Sequence, residues 1–100
     1  MTIRFLAPAQ AELAEAIEWY AKQAPGLGDA FLLETLKTIH LVERHPQAGH
    51  GLSENTRRCR LSRFPYGVIY AIDTGDILIV AIAHSHRRPG YWRQRLIPPE

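Results

Sequence analysis

Two segments in the second half of the chain combine arginine with aromatic residues. One is Arg57-Arg58-Cys59-Arg60-Leu61-Ser62-Arg63-Phe64-Pro65-Tyr66, and the other is Ala83-His84-Ser85-His86-Arg87-Arg88-Pro89-Gly90-Tyr91-Trp92. All eight cations after residue 50 are arginines, facing four acids, whereas residues 1–50 hold four Lys/Arg against six acids. Arginine presents a planar fork that grips phosphate or carboxylate two bonds at a time, so clustered arginines point to an anionic or acidic partner. Tyr66, Tyr70, Tyr91 and Trp92 lie among them and offer rings for stacking or packing. Any one arginine could equally belong to an ordinary solvated surface.

The other chemistry-bearing residues give less. His84 and His86 share one side of an extended segment, but no compact set of further ligands accompanies them, so no metal site and no cofactor is expected. At the end of an apolar strand, His84 has the residue type for proton transfer. Cys59, the only cysteine, alternates with arginines and reads as a small core residue rather than a nucleophile. No glycine-rich phosphate loop, Ser/His/Asp signature or dinucleotide fingerprint is present.

The elements that must position these residues follow from periodicity. Thr2 to Ala7 alternates as a short strand, and Pro8 then opens a helix through Gln23 with Leu13, Ala16, Ile17 and Tyr20 inward and Glu12, Glu15, Glu18 and Lys22 toward water. Ala24-Pro25-Gly26-Leu27-Gly28 stops it. Asp29 is the expected N-cap of a second helix, Ala30 to about Arg44, with a stripe of Leu32, Leu36, Ile39 and Val42. The short link predicts an antiparallel helical hairpin, and His45-Pro46 ends it.

Gln47 to Thr56 reads as a loop. Three strands follow, at Arg57 to Arg63, Gly67 or Val68 to Asp73, and Asp76 to Ala83, with Gly75 supplying positive φ in the turn. Arg58, Arg60 and Ser62 then share one side of their strand, and Cys59, Leu61 and Arg63 the other. The run Ile77 to Ala83 is apolar without alternation, which requires cover on both faces. The fold class is therefore α+β, one domain over residues 1–100: strand, antiparallel helical hairpin, then a three-stranded antiparallel sheet (β-α-α-β-β-β), with room for a short C-terminal helix. Neither a membrane span nor the long apolar core of a secretory signal is present, so a cytoplasmic protein without membrane contact is expected.

The element order, together with Arg63-Phe64-Pro65-Tyr66, Val68 to Tyr70, Ala83-His84 and Arg87-Arg88-Pro89-Gly90-Tyr91-Trp92, resembles the RelE/ParE superfamily of type II toxins, specifically its ParE-like plasmid-stabilisation branch. The resemblance implies a growth inhibitor neutralised by a cognate antitoxin in a hetero-oligomer. ParE-like members act on DNA gyrase, and RelE-like members are ribosome-dependent mRNA endonucleases. A nuclease would draw its catalytic groups from Arg60, Arg63, His84 and Arg87. Under the ParE-like reading, which the absence of a lysine cluster favours, the chain binds its target and does no chemistry of its own. Arg57, Arg58, Arg88, Tyr91 and Trp92 would then serve toxicity, and Leu61, Tyr70, Ile79 and Ala81 the antitoxin. A non-toxic antitoxin-binding or regulatory module is the third reading.

Overall fold

The computed structural model describes residues 2–97; residue 1 and residues 98–100 of the expected domain, Glu100 among them, lie outside the described residues. The elements are β1 (Thr2–Phe5), α1 (Ala7–Gln23), α2 (Leu27–Arg44), β2 (His50–Gly51), β3 (Thr56–Arg60), β4 (Tyr66–Asp73), β5 (Asp76–His84) and a 3-10 turn, Arg93–Leu96. The α+β class holds, but the sheet has five strands rather than three, in the order β1-β5-β4-β3-β2. β1 joins it parallel to β5, Thr2 beside Asp76 through Phe5 beside Ile79. The chain crosses from β1 to the other edge through the helical hairpin, and that crossover lets the first strand lie beside the last.

Local departures from expectation have simple causes. Leu6, not Ala7, ends the first extended segment, because its carbonyl already accepts from the amides of Ala9 and Gln10 and so starts the helix. α2 is capped by Gly26 rather than Asp29. Gly26 adopts φ of 79°, a left-handed conformation that side chains resist, so the helix starts three residues early. Asp29 instead sits in the first turn, where its charge complements the positive helix end. β3 stops at Arg60 because the Leu61 amide turns to the Tyr66 carbonyl, 2.9 Å away, and closes the Ser62–Pro65 loop. The expected loop contains β2, tied down by the Tyr70 hydroxyl, which donates to the Pro46 carbonyl at 2.7 Å and accepts from the Gly49 amide at 3.0 Å.

The helices cover one face of the sheet. Ala16 and Tyr20 of α1 and Phe31, Ile39 and Val42 of α2 pack with Val68, Tyr70, Ile77, Ile79 and Ile82 in one core. Phe31, rather than Leu36, anchors the α2 stripe, and Leu36 is 48% exposed. Thr35 and Thr38 take inward positions by donating to the carbonyls of Phe31 and Glu34, both at 2.9 Å, so burial leaves neither hydroxyl unpaired.

β5 carries a bulge. Ile69 pairs with Ala81 and Tyr70 with Ile79, leaving Val80 as an extra residue. The extra residue resets the alternation, so Ile77, Ile79 and Ile82 all contribute to the helical core while Val80 and Ala83 belong to a second one. That second core, with Ile69, Ala71, Ala81 and Trp92, is closed by Tyr91, Leu96 and Leu52. The chain's own C-terminal segment therefore supplies the second cover that the unbroken apolar run demanded. Among the described residues no helix is long and apolar enough to cross a membrane.

Candidate functional site

The antiparallel register places Tyr66 opposite His84 and Arg60 opposite Gly67, so the strand ends that carry the two arginine segments meet at one end of the sheet. Between them is a cleft of about 420 Å³ whose basic lining is Arg58, Arg60, His84, Arg87, Arg88 and Arg93. Tyr66, Tyr91, Trp92 and Phe64 supply its apolar walls, and among the described residues no aspartate or glutamate lines it. None of these five arginines forms an ion pair among the described residues. The Arg58 Nε is buried without a hydrogen-bond partner. Five cations around one hollow, with no counter-charge, create a positive potential that an anionic group would relieve.

Gly67 explains how Arg58 reaches this position. A Cβ there would stand 3.0 Å from Arg58 Cγ and 3.2 Å from Cδ, so the bare glycine gives the arginine stem room to lie across β4. Arg87 is held differently, with its guanidinium 3.9 Å from the centre of the Tyr91 ring, and Arg93 stands 5.1 Å from that of Trp92. His84 accepts a hydrogen bond at Nδ1 from the His86 amide at 3.0 Å. Neutral His84 therefore carries its proton on Nε2, which can donate but is not the basic nitrogen. Use of Nε2 as a general base would require losing that bond.

Two of the expected site residues lie elsewhere. Arg57 points away from the cleft and donates to the Gly49 carbonyl at 2.7 Å, fastening the loop before β2. Arg63 is exposed on the Ser62–Pro65 loop near the Phe64 ring and does not line the cleft. Arg60, Arg58, His84, Arg87, Arg88, Tyr91 and Trp92 are brought together as the strand pattern implied, although Trp92 is buried and acts as a wall. The four residues expected to meet the antitoxin, Leu61, Tyr70, Ile79 and Ala81, are all buried in the chain's own core. The apolar strands are occupied by the helices on one side and the C-terminal segment on the other, which leaves these side chains no surface to present. Cys59 packs beside the helical core, and burial pushes its thiol above its ordinary pKa, as suits a structural cysteine.

Glu12, expected on the water side of α1, was missed from sequence. It forms a two-pronged ion pair with Arg95 at 2.8 and 2.9 Å and also accepts from the Tyr91 hydroxyl at 2.7 Å and the Ile82 amide at 3.1 Å. Arg95 also donates to the Val80 carbonyl at 3.0 Å. Beyond the end of β1, these two side chains thus satisfy the edge of β5 and clasp the C-terminal segment over the second core. Burial works against the charge on Glu12, but the bonds from Arg95, Tyr91 and Ile82 outweigh it and hold the carboxyl below its ordinary value. Burial and the neighbouring Glu12 push the Tyr91 hydroxyl far above the ordinary tyrosine range. The signal available in sequence was only that Glu12 and Ala16 share a face; its partner is 83 residues away.

Among the described residues no group of three or more His, Cys, Asp or Glu side chains is placed to hold a metal ion. No curated protein matches the chain. In fold it is similar to a chain of the chromosomal ParDE TA system from P. aeruginosa, with a TM-score of 0.73 and 17% identity over 84% of this chain and 95% of that one. The family model for the ParE toxin of the type II toxin-antitoxin system parDE matches residues 3–89, which include the helical hairpin, the five strands except Thr2 of β1, and most of the cleft. The chain belongs to the ParE toxin family and is the toxin component of a type II toxin–antitoxin system.

Proposed function

We propose that the chain arrests growth by engaging an acidic or phosphate-bearing surface of its cellular target through the arginine cleft, without chemistry of its own. The observation that carries this reading is the set of five arginines around one hollow, with no ion pair and no lining acid among the described residues. DNA gyrase is the target that the ParE resemblance implies. Purified chain added to gyrase should block supercoiling; unimpaired supercoiling together with mRNA cut in the ribosomal A site would replace this reading with the endonuclease one. Normal growth under verified soluble expression would replace both with a non-toxic antitoxin-binding module.

The antitoxin reading moves from the buried strands to the outer face of α2. Leu33, Leu36 and Leu41 are 55%, 48% and 37% exposed there, and Lys37, His40 and Arg44 border them. Their spacing forms one stripe, apolar at its centre and basic at its margin, which complements an amphipathic helix carrying acids. Exposed leucines in a row are uncommon on a face that stays in water, and a cognate antitoxin is the partner that membership of the family provides.

A further inference from the structure

On the other side of the Tyr66–His84 strand ends lies a second hollow, of about 460 Å³, between α1 and the sheet. Glu12, Glu15, Ala16 and Trp19 recur on one face of α1 and form one wall; Tyr66, His84 and Arg87 stand opposite. Trp19 is 55% exposed. Its ring meets Tyr20 edge-on at 5.0 Å, and Tyr20 in turn lies 6.1 Å from Tyr66, so an aromatic floor runs across the groove.

The charges in this groove are unequally committed. Glu12 is consumed by Arg95, Tyr91 and the Ile82 amide, and the Arg87 guanidinium is held against Tyr91 at the far wall. Glu15 is exposed and has no ion-pair partner among the described residues. It stands one helical turn from Trp19, so a free carboxylate adjoins the aromatic floor. The Tyr66 hydroxyl senses this arrangement: its ionisation is resisted first by burial and then by Tyr20, Glu12 and Glu15. Ring faces carry negative potential and attract cations, most strongly at tryptophan, and an adjacent carboxylate adds to that attraction.

We propose that this groove receives a lysine or arginine side chain of a partner protein, seated on the Trp19 and Tyr66 rings and paired with the Glu15 carboxylate. The chemistry is opposite to that of the arginine cleft, which repels cations, and to that of the α2 stripe, whose margin is basic. The inference stands on this groove alone and does not depend on toxicity or on the identity of the target.

Titration of the ¹⁵N-labelled full chain with blocked hexalysine and hexaarginine peptides tests it, with the indole N–H resonance of Trp19 as the readout and that of Trp92, only 4% exposed, as the internal reference. The expected result is a saturable shift at Trp19 and none at Trp92, with binding about fivefold weaker in Glu15→Gln. Because Glu15 is exposed, that variant should fold as the parent does, and Glu54→Gln, which removes an exposed carboxylate outside both hollows, should leave the titration unchanged. Absence of a saturable shift, an equal response to hexaglutamate, or an affinity indifferent to Glu15→Gln would each overturn the proposal. Growth arrest is measured separately, so either reading can fail without the other.

Discussion

Arg95 and Arg58 are the same residue type under opposite conditions. Arg95 meets a carboxylate with both prongs and a backbone carbonyl besides, whereas Arg58 lies along a glycine with its Nε buried and unbonded. The clasp holds the molecule together, and the cleft leaves its cations ready for another molecule. A buried atom without a partner is costly in isolation, about 1–3 kcal/mol, and such a cost persists where a ligand can repay it. Count and composition alone cannot distinguish these roles; what separates them is whether an acid lies within reach.

The largest contrast is expected from cutting the clasp. Glu12→Ala leaves Arg95 and Tyr91 without their acceptor and frees the β5 edge, at a cost of about 3 kcal/mol in urea unfolding. Single alanine substitutions at Arg60 or Arg88, both exposed, should stay within about 0.5 kcal/mol. Equal losses on the two sides would dissolve the distinction. Next in size is the antitoxin surface: Leu36→Glu places a like charge before an acidic helix and removes an apolar contact, so affinity for the antitoxin should fall by about 2 kcal/mol with stability unchanged. Calorimetric titration reads the first quantity and thermal unfolding the second.

The clasp also carries a pH signature. The folded-state value of Glu12 is depressed below 4.5, so the stability it contributes is complete above that value and is lost as pH falls through the lower one. The stability gap between the parent and Glu12→Gln should therefore be flat near neutrality and narrow in acid; a gap that widens on acidification would show that the pair is not what holds the segment. A small effect on stability is also expected at Gly67. In Gly67→Ala the new methyl displaces a flexible arginine stem rather than backbone, and loss of glycine's freedom in the unfolded chain offsets the crowding, for a net change under about 1 kcal/mol. Toxicity should nevertheless weaken, because Arg58 moves.

What the sequence disclosed depended on the distance over which each feature is encoded. The helical hairpin and the β4–β5 turn are written locally, in Pro25-Gly26 and in Thr74-Gly75, and both stand where the pattern put them, Gly75 with φ of 73°. The convergence of Arg58, Arg60, Arg87 and Arg88 also followed from period-two alternation across one hairpin. Pairing between β1 and β5 joins residues more than 70 apart, and the bulge at Val80 leaves no mark in a run that is apolar throughout. The antitoxin residues were misplaced for a related reason. Leu61, Tyr70, Ile79 and Ala81 were assigned to the antitoxin, but Leu61, Tyr70 and Ile79 lie in the core beneath the helices, and Ala81 lies in the second core, which the C-terminal segment, fastened by a contact between Glu12 and Arg95, already closes. Exposure of Leu36 in place of Phe31 shows the limit of a helical stripe: α2 is apolar over more than one face, and only the position of the sheet decides which face turns inward.

The central claim is that the open cleft, and not the clasp, acts on the cellular target. The direct measurement is growth arrest by the triple variant Arg58→Ala, Arg60→Ala, Arg88→Ala, expressed to the parent's soluble level and captured by the antitoxin with the parent's affinity. Loss of arrest with folding and antitoxin capture intact is the expected result; full arrest by that same folded protein would contradict the account.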